Sequence, residues 1–123
     1  MTGGQMAPTT LPDQKTTTTP SGRKSKVDGY PLRVAELLAT LEGPSYIVRT
    51  SLDSHKNLII TKKAIEKSFR YQIEEKGFSI VEILSPCPVD WQLSPREALL
   101  WIQKQMIPVF PLGIFKDKFK ETE

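Results

Sequence analysis

Gly77-Phe78-Ser79-Ile80-Val81-Glu82-Ile83-Leu84-Ser85-Pro86-Cys87-Pro88-Val89-Asp90-Trp91 is the stretch that decides the fold class. Phe78, Ile80, Val81, Ile83 and Leu84 form a near-continuous apolar run, with Glu82 as its one clear exception. Such a run predicts a strand covered on both faces, as in a parallel sheet, because a strand with one wet face alternates. Pro86 and Pro88 then end the ladder, since neither has an N–H to donate. The only cysteine of the chain, Cys87, sits between them. Ligands of open parallel sheets bind at the carboxyl ends of strands, so the position suits chemistry, although position alone is a weak signal.

Outward from this stretch, residues 31–41 predict a helix. Pro31 suits its first position, Leu32, Ala35, Leu38 and Leu41 recur every three residues, and Gly43-Pro44 stops it. Residues 45–52 are rich in β-branched side chains and predict a strand. Asp53 or Ser54 can cap the next helix, expected over 56–76. Its apolar stripe is Leu58, Ile65, Phe69 and Ile73, with Lys62, Lys63, Lys67 and Arg70 around the outside. Strand, helix and the 78–84 strand make a βαβ unit. Ser94-Pro95-Arg96-Glu97 is a capping box, opening a helix expected to run to about 106 and end before Pro108. The fold class is therefore α/β. Two parallel strands do not make a stable sheet, so the chain is expected to add strands from a second copy or to be one half of a larger α/β layer. The strand count favours the larger layer.

At 123 residues, 38% hydrophobic and 25% charged with a net charge of +3, the chain fits one small domain. That mild basicity lacks the concentrated positive face of a nucleic-acid binder. No apolar run reaches the ~18 residues of a membrane span. A lone cysteine and no apolar signal segment make a cytoplasmic protein the expectation. Residues 1–29 are poor in apolar side chains and contain the threonine run Thr16 to Thr19, which predicts a flexible arm. The expected organisation is that arm at 1–29, an α/β portion at 30–115 and a charged tail at 116–123.

Three features invite a chemical reading. The amides around Gly3 and Gly4 in Thr2-Gly3-Gly4-Gln5 can cradle a diphosphate; a floppy terminus is the plainer alternative. Cys87 can be a packed small residue, a nucleophile or a metal ligand. The only histidine, His55, lies at the other end of the βαβ unit, so no base is indicated. One cysteine and one distant histidine cannot complete a metal site within the chain, so a ligand role for Cys87 requires a cluster shared with other chains, and a packed small residue stays the plainer reading. The lysine-rich helix face reads most simply as a solvated surface.

Two separated motifs match one family. Thr2-Gly3-Gly4-Gln5 with Ala7-Pro8-Thr9-Thr10, and Leu84-Ser85-Pro86-Cys87-Pro88 with Trp91, resemble the β subunit of 2-oxoacid:ferredoxin oxidoreductases. So do Ala39-Thr40-Leu41-Glu42-Gly43-Pro44, Gln72-Ile73-Glu74 with Gly77-Phe78, and Pro108-Val109-Phe110-Pro111-Leu112-Gly113. The likeness covers nearly the whole chain and is to the C-terminal half of that subunit. It implies part of a parallel-sheet thiamine-diphosphate-binding domain, in enzymes that use thiamine diphosphate and Mg²⁺ to decarboxylate a 2-oxoacid oxidatively to an acyl-CoA. Electrons then leave through a [4Fe–4S] cluster to ferredoxin. By the resemblance Thr2, Gly3, Gly4 and Gln5 lie beside the cofactor, Met1 faces the substrate, and Cys87 is the fourth cluster ligand. The Gly-Asp-Gly motif and asparagine that hold Mg²⁺ in the family, and the other three cluster cysteines, have no counterpart here. The implied partners are the upstream half of the β subunit, the α subunit and, where the enzyme has them, γ and δ subunits, with ferredoxin, coenzyme A and the 2-oxoacid. The chain alone is expected to be inactive. The alternative is a non-catalytic α/β interaction or assembly module that keeps the family's sequence.

Overall fold

Strand β1, Tyr46–Ser51, is buried along its whole length and has a neighbour on each side. A computed structural model describes residues 5–120. β2, Ser79–Leu84, runs parallel to β1 in unbroken register from Tyr46↔Ser79 to Ser51↔Leu84. β3, Gly113–Asp117, runs antiparallel on the other side, so the order is β2-β1-β3. The short helices α1, Ser25–Asp28, and α2, Val34–Ala39, precede the sheet, and α3, His55–Ile73, connects β1 to β2. After β2 come α4, Pro88–Trp91, and α5, Pro95–Trp101. A π-helical turn, Ile102–Met106, then leads into α6, Ile107–Val109. The α/β class and the parallel βαβ unit are as the sequence predicts.

Four expectations about the sheet and the helices change. The strand buried on both faces is β1; β2 is an edge strand, half-buried until Leu84. An apolar run reports what a strand is made for, whereas its cover depends on neighbours the run does not name. The third strand comes from the chain itself. Lys116 and Asp117 disguise β3 as the start of a charged tail, but Asp117 is nearly buried, with Lys67 and Tyr71 donating to its carboxylate at 2.5 and 2.7 Å. On α3 the buried residues are Thr61, Ala64 and Tyr71, while Phe69 and Ile73 are 66% and 81% exposed. Small Thr61 and Ala64 let the helix approach the sheet closely, and the Thr61 hydroxyl donates to the Ser51 carbonyl at 3.1 Å. Finally, the helix from Pro95 passes through Pro108. The π turn just before it spreads the backbone where proline removes an i→i−4 bond, so the chain continues one more turn to Val109.

Ser54, not Asp53, caps α3, accepting from the Asn57 amide at 3.3 Å. The capping box at α5 is present in both directions, Ser94 accepting from the Glu97 amide and the Glu97 carboxylate from the Ser94 amide. Two apolar clusters cover the sheet. Leu11, Leu84, Ile102, Met106 and Phe110 form one, and Tyr46, Val48, Ala64 and Tyr71 the other.

The segment expected as a flexible arm supplies Leu11 to the first cluster and buries Thr10, Gln14, Thr16, Thr19 and Arg23. Its order comes from polar contacts, which apolar periodicity does not detect. The buried Arg23 guanidinium donates to the carbonyls of Thr10 at 2.7 Å, Gly29 at 2.9 Å and Tyr30 at 2.9 Å. Gly22 has a φ of 82° beneath Asp13, whose carbonyl oxygen would lie 2.8 Å from an added Cβ, so this turn requires glycine.

Candidate functional site

The carboxyl end of β2 feeds directly into the cysteine turn. Leu84 anchors it in the core, and Cys87 occupies the N-cap of α4, with Pro88 as the first helical residue. Proline suits that position because its missing N–H has no helical partner to lose. The half-buried Cys87 thiol donates to a carboxylate oxygen of Asp90 at 3.0 Å. Asp90 is held from the other side by the threonine run. The Thr17 hydroxyl donates to its carboxylate at 2.5 Å, and the Thr17 amide to its carbonyl at 2.9 Å. The Cys87 thiol first, and then the Thr17 hydroxyl, hold the Asp90 carboxyl below the usual aspartate range.

Cys87 borders a groove of about 400 Å³. Ala7, Pro8 and Thr9 form one wall, Trp91 and Met106 another, and residues 80–85 of the β2 segment run along it. The groove is largely apolar, with Glu82 the only charged residue among the described residues that line it. Of the residues singled out in the sequence, Gln5 is exposed, and Met1, Thr2, Gly3 and Gly4 lie outside the described residues. His55 opens α3 and is exposed, as expected for a first-turn residue. Among the described residues no three of His, Cys, Asp and Glu converge on a metal-sized site.

Behind the groove lies a charge network that sequence reasoning missed. Arg49 is fully buried in β1, and its guanidinium donates to Glu82 of β2 at 2.9 Å and to Glu36 of α2. It also lies over the rings of Phe110 and Phe115, at 5.4 and 4.9 Å from their centroids. Hydrogen bonding from Arg49 leads the causes that hold the Glu36 carboxyl below the usual range, and burial opposes it. Arg49 and Glu82 are register partners on adjacent strands. One opposite charge in each of two apolar strands was the available signal. A second polar cluster surrounds the buried Asp53, which accepts from Ser51, from Asn57 at 2.7 Å and from Gln103 at 3.1 Å. Burial pushes its carboxyl up, but these donors together bring it below the usual range.

The basic face of α3 is partly neutralised. Lys67 pairs with Asp117 and Arg70 with Glu66, whereas Lys62 and Lys63 carry no ion pair among the described residues.

The architecture defines an α/β chain with an open sheet edge and a cysteine turn at the carboxyl end of its parallel strands. No family model matches the sequence, and no solved structure matches it significantly. Among curated proteins, the ketoisovalerate oxidoreductase subunits VorA of Methanothermobacter marburgensis and Methanothermobacter thermautotrophicus are each 42% identical over all 123 residues. The 2-oxoglutarate synthase subunit KorB of Archaeoglobus fulgidus is 30% identical over 98% of the chain. The chain belongs with the 2-oxoacid:ferredoxin oxidoreductase subunits and corresponds to a C-terminal part of one. It spans 26% of the length of either VorA protein and 45% of KorB.

Proposed function

We propose that this chain is the part of a 2-oxoacid oxidoreductase subunit that forms one wall of a thiamine diphosphate site and lends one thiolate to a [4Fe–4S] cluster. The whole enzyme would convert a 2-oxoacid to an acyl-CoA and pass electrons to ferredoxin, with the remaining subunits as partners. The observation that carries this reading is the shared groove. Ala7, Pro8 and Thr9, which follow Thr2-Gly3-Gly4-Gln5 in sequence, line the same cavity as Cys87.

The residues present fit a contributory role. Cys87 is half-buried, flanked by Pro86 and Pro88, and placed at the mouth of a helix, so its sulfur has little backbone freedom. Rigid placement suits a ligand that must meet fixed iron geometry, and cysteine thiolates are the usual iron–sulfur ligands. The other three ligands and the Mg²⁺ site must come from outside the described residues. When bound, thiamine diphosphate supplies an electron sink for decarboxylation and the cluster an electron exit. The amides of Thr2, Gly3, Gly4 and Gln5 would bind diphosphate oxygens, and Met1 would face the substrate.

The test is Cys87→Ser in the chain coexpressed with the rest of the subunit and its partner subunits. The expected result is an unchanged far-UV spectrum of the chain and loss of bound iron and visible cluster absorption in the assembly. A full complement of iron with normal ferredoxin reduction would show that Cys87 is only a packed small residue.

A further inference from the structure

The basic face of α3 closes around a second cavity, of about 570 Å³. A merely solvated helix face carries its charges on a convex surface, where each is hydrated separately. Here α3 supplies Lys63, Lys67 and Arg70, the segment after it Lys76 and the segment after β3 Lys120, and all five line one concavity. Two acids line it as well, and both are occupied. Glu66 accepts from Arg70 at 2.9 Å, and Glu74 pairs with Lys76 at 2.6 Å. Lys67 is held by the nearly buried Asp117. Lys63 and Lys120 carry no ion pair among the described residues. The lining cations therefore outnumber the lining anions by three.

The remaining walls are aromatic. Tyr71 and Phe119 meet edge to face, with centroids 5.7 Å apart and planes at 89°. The Lys76 ammonium lies over both rings, at 4.9 and 5.1 Å from their centroids. Tyr71 is fixed in place, since it is buried and its hydroxyl donates to Asp117 at 2.7 Å. Phe119 is 43% exposed and keeps ring surface for a planar group to pack against. A concavity of this size has the dimensions of a small-molecule site. Its surplus of guanidinium and ammonium donors selects phosphate groups, and its exposed ring selects a base.

This cavity is remote from the Cys87 groove. α3 starts after the carboxyl end of β1 and ends at Ile73, before the amino end of β2. Asp117 is the register partner of Tyr46, the first residue of β1. The cavity thus sits at the amino ends of the parallel strands, whereas Cys87 follows the carboxyl end of β2.

We infer that the cavity binds a nucleoside polyphosphate, as a ligand separate from any chemistry at the groove. Its phosphates would meet Lys63 and Arg70 of α3 and Lys120 of the segment after β3, tying the two elements together. The site depends on this cavity alone and stands or falls apart from the reading of Cys87.

The experiment is calorimetric titration of the full chain with ATP, inorganic tripolyphosphate and AMP, without added divalent metal. The expected result is saturable binding of ATP that weakens as salt rises, with tripolyphosphate and AMP each at least about threefold weaker. Lys63→Gln with Lys120→Gln should weaken ATP binding at least about tenfold. Arg96→Gln with Lys104→Gln removes the same charge from exposed positions outside the cavity and should leave the affinity unaltered. Phe119→Leu should weaken ATP and leave tripolyphosphate unchanged. Far-UV spectra check that each variant folds. No binding of ATP, or equal losses in the two double variants, would overturn the site. Tripolyphosphate binding as tightly as ATP, or ATP binding indifferent to Phe119→Leu, would overturn the nucleoside assignment. Tighter binding of an oligoglutamate peptide than of ATP would assign the cavity to an acidic protein segment and overturn the small-molecule ligand.

Discussion

Replacing Arg49 by methionine keeps most of the side-chain volume and removes the charge that Glu36 and Glu82 share. The Arg49 side chain is 0% exposed, while those of Glu36 and Glu82 are 30% and 15% exposed. Removing one partner of a buried ion pair costs about 3–5 kcal/mol, because the carboxylates left behind stay partly desolvated. Water already reaches part of Glu36, so the low end applies, about 3 kcal/mol. For a chain of this size that corresponds to a fall of about 12 °C in Tm. The cost carries a pH signature. The folded-state pKa of Glu36 is depressed, with Arg49 as the leading cause. Its contribution is therefore present above the ordinary carboxylate range and is lost as pH falls through the lowered value. Arg49→Met lacks that contribution at every pH. The stability gap between wild type and variant should be widest near pH 7 and narrow below about pH 4. Urea unfolding followed by tryptophan fluorescence at several pH values measures it. A gap under about 1 kcal/mol at pH 7, or one that stays constant to pH 3, would refute the assignment of this network as a stabilising element. Adding Glu36→Gln and Glu82→Gln to Arg49→Met should recover part of the loss, since no orphaned charge then remains.

Two further outcomes follow from other sites. Ser94→Ala should destabilise the chain by about 0.5–2 kcal/mol through loss of the acceptor for the Glu97 amide, read as a lower denaturation midpoint; an unchanged midpoint would mean that the box contributes nothing net. Asp117→Asn tests the opposite face of the sheet. Burial pushes the Asp117 carboxyl up, but hydrogen bonds from Lys67 and Tyr71 prevail and depress it. Wild-type stability should therefore fall below about pH 4 more steeply than that of the variant, and parallel pH profiles would contradict this.

How much of this was legible depended on which force organised each part. Elements made by apolar runs and caps were visible: β1, α3, β2 and the Ser94 box were all placed within a few residues. Elements held by polar side chains were not. β3 carries Lys116 and Asp117, and only the buried partners Lys67 and Tyr71 make Asp117 a strand residue. Residues 10–23 look structureless by periodicity, yet Arg23 and the threonine turn give them order through hydrogen bonds. The stripe Leu58, Ile65, Phe69 and Ile73 was a sound period, but contact with the sheet went to the smaller Thr61 and Ala64. At the candidate site Cys87 could be singled out from its prolines. Its tie to Asp90 and Thr17 could not, since Thr17 and Asp90 are distant in sequence and share no motif.

The position of β3 also sets a timetable for folding. β1 can pair with β2 once α3 and the following residues have been made, but its other side stays open until Asp117 can meet Tyr46. On the ribosome the most deeply buried strand of the sheet therefore waits, half-partnered, while α4, α5 and the π turn are synthesised. Long-range closures of this kind are slow because loop entropy is lost before the contacts form. An exposed β1 edge during that interval is an aggregation hazard. Translation pauses or chaperone binding between residues 85 and 117 would therefore weigh more heavily on yield than equal delays earlier in the chain.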